Sequence, residues 1–161
     1  MNTLTKPKQS QALKLWLTLS LLPLGKWLFS RIICFKAPYF SSISPQFEVL
    51  EPGLCKVRIK NRRSVHNHIG TVHAIAMCNM AELAGGTMTE VSLPLTHRWI
   101  PKGMTVEYLK KAETDLLATA RFVVEPGYGA AQALYVDVTV TDVYGIEVFR
   151  AKIEMWVAPK K

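Results

Sequence analysis

In several stretches from Phe47 onward, apolar and polar residues alternate with a period of two. From Leu54 to Lys60, Cys55, Val57 and Ile59 fall on one side and Lys56, Arg58 and Lys60 on the other, the pattern of a half-buried strand. An earlier strand signal starts at Phe47 and stops at the turn Glu51-Pro52-Gly53. Further strands are predicted over Met104 to Leu109, Leu116 to Val124 and Ala133 to Asp142, the last with Leu134, Val136, Val138 and Val140 on one face. Tyr144-Gly145 then turns the chain into a final strand, where Phe149, Ala151, Ile153, Met155 and Val157 alternate with Arg150, Lys152 and Glu154. Pro94 to Gly103, which holds Trp99 and Pro101, reads as a connection, and Ala37 to Pro45 as a loop.

Between the strands, Val65 to Glu90 has a different period. A polar loop, Asn67 to Thr71, leads into strong helix formers and small residues, with Thr71 as N-cap and Gly85-Gly86 as the stop. Val72, Ile75, Met77, Met80, Leu83 and the alanines between them leave no polar side, so the pattern predicts a buried helix. Glu82 is the charge inside it. A carboxylate taken out of water needs a partner or a raised pKa, which makes Glu82 a candidate for chemistry. One buried helix and several antiparallel strands with one apolar face have an economical solution. An α+β fold follows, with the sheet curled around one central helix.

The first 46 residues differ from the rest, and the expected division is residues 1–46 as a basic amphipathic helical segment and residues 47–161 as the α+β domain. Leu13 to Phe35 is rich in Leu, Trp and Phe, but no small-residue cleavage site follows it. Lys26, Arg31 and the Pro23-Leu24-Gly25 break leave no uninterrupted apolar span of about 20 residues. Two short amphipathic helices around that break fit better, docked on the domain, lying on a membrane, or moving between the two.

Charge sharpens the division. The chain carries a formal net charge of +8, yet before Glu48 there are six basic residues and no acid. That imbalance suits an anionic partner such as a lipid surface or the phosphates of coenzyme A. No recognised motif accompanies it, so nucleic acid is excluded as the expected partner. Three cysteines without a C-x-x-C spacing point to reduced thiols and a cytoplasmic setting, and the spacing of His66, His68 and His73 matches no zinc site.

Asn67, Gly70, His73 and Ala74 read N-x-x-G-x-x-H-A, with Glu82 nine residues after the histidine. This resembles the hot-dog acyl-CoA thioesterases of the phenylacetate-degradation and hydroxybenzoyl-CoA type, whose pattern is N-x-x-G-x-x-H-G-G followed by an acid at that distance. MTVEYLKKAETDLLATARFVV, Met104 to Val124, is similar to the strand–turn–strand after their helix, and the resemblance spans Gly53 to Val157 in outline. Ile75 stands where the family has its second glycine, and the acid is Glu where Asp is commoner.

The resemblance implies hydrolysis of an acyl-CoA or acyl carrier protein thioester in a homodimer or dimer of dimers, without a cofactor or metal. Glu82 would be base or nucleophile and Asn67 would position water or the carbonyl. Gly70 and His73 would shape the loop, the Ala74 backbone N–H would meet the carbonyl oxygen, and Asn79, three residues before Glu82, would hydrogen-bond the acid or pack. Two other readings stay open. His68, fourteen residues before Glu82, resembles the histidine of hot-dog 3-hydroxyacyl dehydratases, though their Pro-Gly pairs are missing. A non-catalytic acyl-CoA or lipid-binding protein, with peripheral membrane contact through residues 13–36, is the third.

Overall fold

The computed structural model describes residues 9–160. Three helices, α1 (Gln11–Leu19), α2 (Gly25–Lys36) and α3 (Ala74–Ser92), join six strands: β1 (Gln46–Glu51), β2 (Leu54–Ile59), β3 (His97–Tyr108), β4 (Leu116–Phe122), β5 (Gln132–Thr141) and β6 (Glu147–Pro159). The strands form one antiparallel sheet in the order β1-β2-β4-β5-β6-β3. Helix α3 contacts all six strands, so the sheet wraps it. The residues predicted to face inward do so: Cys55, Val57, Ile59, Val136, Val138, Val140, Phe149, Ile153 and Met155 are all buried.

Three sequence expectations are corrected. Helix α3 starts after His73, not Thr71, and runs through Gly85-Gly86 to Ser92. The glycine pair serves close packing instead of a stop. A β-carbon on Gly85 would meet Ile153 Cδ1 at 3.0 Å, and one on Gly86 would meet the Trp99 ring at 2.8 Å. The segment read as a connection is most of β3, with a bulge between Pro101 and Gly103. Among the described residues β3 pairs only with β6 and is exposed along most of its length, so no period-two signal marked its first half, whereas Met104 to Tyr108 fall within the predicted strand; Pro101 is tolerated on such an edge. The loop before β1 contains a 3-10 helix, Pro38–Ile43.

The N-terminal helices are docked. Leu13, Trp16 and Phe29 are buried in the same core as Ile43 and Phe47. Phe29 stands edge-on to both Trp16 and Phe47, with ring centroids 5.1 Å apart in each pair. The Ser30 hydroxyl donates to Lys26 O and accepts from the Phe47 N–H, tying α2 to β1.

Candidate active site

The loop before α3 is built on Asn67. Its Oδ1 accepts from the N–H of Ile69 and of Thr71, each at 3.1 Å, and its Nδ2 donates to Thr71 Oγ1 at 2.8 Å. Gly70, at φ +81°, takes the left-handed conformation that a side chain would strain, and no atom lies within 4 Å of its would-be β-carbon. Its glycine is thus a matter of backbone conformation and not of a close approach. The loop is anchored by His73 N–H donating to Val65 O at 2.7 Å and Val72 N–H donating to Ala112 O at 2.9 Å.

His73 caps the helix. Its Nδ1 accepts from the Ile75 N–H at 3.0 Å, which places the ring proton on Nε2 in the neutral form. Ala74, the first helical residue, has no acceptor for its N–H among the described residues. That donor lies at the positive end of a 19-residue helix.

Glu82 is exposed, which corrects the expectation of a buried acid. Helix α3 is not covered on every side: Ile75, half-buried Cys78, Glu82 and Glu90 lie along one open stripe. Sequence could not show it, because Ile75 and Cys78 on that stripe are themselves apolar. Glu82 borders a cleft of about 290 Å³ between the N-terminal helices, α3 and β3. Ile33, Phe40, Leu83 and Pro101 make its wall largely apolar, with Lys36 and Glu90 as the other charges. Glu90 accepts a 2.8 Å hydrogen bond from Trp99 Nε1, whereas Glu82 has no hydrogen-bond or ion-pair partner among the described residues.

A second cleft of about 360 Å³ lies at the start of α3, bordered by Ser42, Ser64, His66, His73, Ile75 and Asn79. Asn79 is buried and donates to Ser42 Oγ at 3.1 Å; it does not bond Glu82, and its Oδ1 has no partner among the described residues. The predicted residues therefore divide. His73 and Asn79 share one cleft, Glu82 opens into the other, and Asn67, Gly70 and exposed His68 line neither. Sequence reasoning missed Trp99 and Lys36, since no local signal brings an edge strand or an N-terminal helix to this site. Cys78 Sγ lies 3.4 Å from Tyr108 Oη; that contact, then burial, pushes the Tyr108 hydroxyl above its usual range.

No curated protein matches the chain in sequence. A structural-genomics protein, APC5556, is 46% identical with TM-score 0.80, covering 92% of this chain and 98% of its own. A Pseudomonas aeruginosa protein named as a probable thioesterase is 24% identical with TM-score 0.73, covering 86% and 97%. A thioesterase family protein from Silicibacter pomeroyi is 16% identical with TM-score 0.69, covering 81% and 96%. At those last two identities the likeness concerns the fold, and the fold is the hot-dog fold. No helix among the described residues is long and apolar enough to cross a membrane. Residues 25–157 match the family described as domain of unknown function DUF4442, and the chain belongs to that family.

Proposed function

We propose that this chain hydrolyses acyl thioesters of coenzyme A or acyl carrier protein, with Glu82 as the base that activates water. The observation that carries the reading is Glu82 itself, a carboxylate without a partner among the described residues at the edge of a largely apolar cleft. The apolar wall suits an acyl chain, and the carboxylate suits the reacting end. Water attacks the carbonyl carbon as Glu82 takes its proton, and the charge on the carbonyl oxygen is met by the Ala74 N–H and the helix N-terminus. Collapse breaks the C–S bond, and the thiolate leaves with the proton returned from Glu82.

Helix geometry favours two copies for this. Ala74 and Glu82 are eight residues apart, so their backbones lie about 12 Å apart along one helix, beyond what one glutamate side chain spans. Glu82 of one copy would therefore work with Ala74 of another, and Asn67, on the loop that leads into Ala74, would hold the water with its remaining Nδ2 hydrogen. The outer edge of β3 pairs with no described strand, and exposed Ile100, Met104 and Tyr108 on it, with Ile75 on α3, offer apolar surface for a second copy.

The test is Glu82→Gln, assayed against acyl-CoAs of graded length. Hydrolysis should fall by at least about 10², the lower worth of general-base assistance, with acyl-CoA binding retained. Wild-type turnover in this variant rejects the mechanism. A monomer by light scattering would reject the shared site.

A further inference from the structure

We propose that the α1–α2 hairpin seats this protein on anionic phospholipid bilayers. Helix α2 is apolar on two sides. Its inner side, with Phe29 and Cys34, is buried. On the outer side Leu28, Ile32 and Phe35 follow at spacings of four and three, one helical stripe, with Phe35 87% exposed. The turn between the helices adds Leu21 and Leu24 at 85% and 80% exposure, and Leu17, Leu22 and Trp27 flank them. Single exposed leucines need no explanation; a run of them on one hairpin marks an interaction surface.

The hairpin holds these side chains outward by construction. Leu22 N–H donates to Leu19 O at 2.9 Å and Gly25 N–H to Leu22 O at 3.0 Å. A β-carbon on Gly25 would fall 1.7 Å from Leu19 O, so the two backbones meet there and only glycine fits. Leu24 is held at φ 60°, a left-handed conformation costly for a branched side chain. Two residues on, Lys26 fastens the hairpin to the sheet, with its Nζ donating to Glu48 O at 2.8 Å. A strained and fully outward leucine at the tip of a pinned turn has no role in the core.

Charge selects the occupant. Residues 1–47 contain six basic residues and no acid; Lys14 and Lys36 are exposed on the hairpin, while Lys26 is held on Glu48 O. Glu48 and Glu51 border the hairpin from β1, and Glu48 is taken by Arg58. A second copy on this face would bring lysines toward lysines. An anionic bilayer satisfies both features at once, taking the leucines and Phe35 below the headgroups, Trp27 at their level and the lysines among the phosphates. At 12 residues, α2 is too short to span and would lie in the plane of the surface.

Co-sedimentation of the full chain with vesicles of phosphatidylcholine alone, and of phosphatidylcholine mixed with phosphatidylglycerol, tests this. Binding is expected to the mixed vesicles, weakly or not at all to the neutral ones, and to weaken as salt is raised. Leu21→Asp with Leu24→Asp should lower the partition by at least about tenfold. Leu24→Gly separates binding from folding: it relieves the left-handed strain, so the melting temperature should hold or rise by up to roughly 4 °C while vesicle binding falls. Failure of the wild type to bind either vesicle overturns the proposal, as does binding that ignores these substitutions. Equal binding to both compositions overturns the anionic assignment. An oligomer that dissociates in the double variant, without vesicle binding, assigns the face to a second copy instead.

Discussion

Gly86 and Trp99 meet so closely that a methyl group on the glycine would lie 2.8 Å from the end of the indole ring. The contact joins α3 to the edge strand β3, and both residues line the cleft beside Glu82. The ring cannot swing away freely, because its Nε1 donates to Glu90.

Gly86→Ala sets two effects against each other. Alanine improves an interior helix position by about 1 kcal/mol, while overpacking costs about 1–3 kcal/mol. Displacing Trp99 also loosens its hydrogen bond, so the cost should win, by about 1 kcal/mol in urea unfolding. The preferred acyl-chain length of the proposed hydrolase should change with it.

Ala74→Pro removes the proposed carbonyl-binding N–H without breaking the helix. Proline is welcome at the first helical position, and His73 already has the extended conformation, ψ 140°, that precedes a proline. The variant should stay folded by circular dichroism and lose hydrolysis. Refolded together with Glu82→Gln, it should recover turnover, since one of the two shared sites in a mixed dimer is then intact. No recovery from the mixture would place both groups in one copy.

Phe29→Ala should cost about 3–5 kcal/mol, since the ring is fully buried between Trp16 and Phe47. Removing residues 1–36 takes away both Phe29 and the Ser30 hydroxyl that accepts from Phe47 N–H, so the remaining chain should fail to give a cooperative unfolding transition. A well-folded truncation would show that the helices are dispensable cover.

Cys55 makes stability depend on pH in the alkaline range. Burial pushes its thiol well above the ordinary thiol range, so the folded state keeps a proton that the unfolded chain releases near pH 9. Above that pH the unfolded state binds fewer protons, and stability falls as pH rises, by up to about 1.4 kcal/mol per unit from this one group. Denaturant midpoints measured on either side of that pH should show a shallower decline in Cys55→Ala than in the wild type.

Features that depend on neighbours along the chain were legible without the fold. The alternation in β2, β5 and β6 named the buried side of each strand, because side chains on a strand point to alternate faces whatever lies opposite. The run of small and apolar residues from Ala74 onward marked the central helix, and the spacing of Asn67, His73 and Glu82 marked the loop and acid worth examining. Features that depend on segments distant in sequence came only from packing. Whether Glu82 is buried turns on which side of α3 the sheet leaves open, and Ile75 and Cys78 are too apolar for the pattern to reveal that side. Whether Trp99 belongs to a loop or to the cleft turns on β6 pairing with the first half of an edge strand that water reaches on most of its length, where no period-two signal marks the sequence. Whether α1 and α2 join the core turns on Phe29 reaching Phe47, a contact eighteen residues apart that hydrophobicity permits and only packing selects.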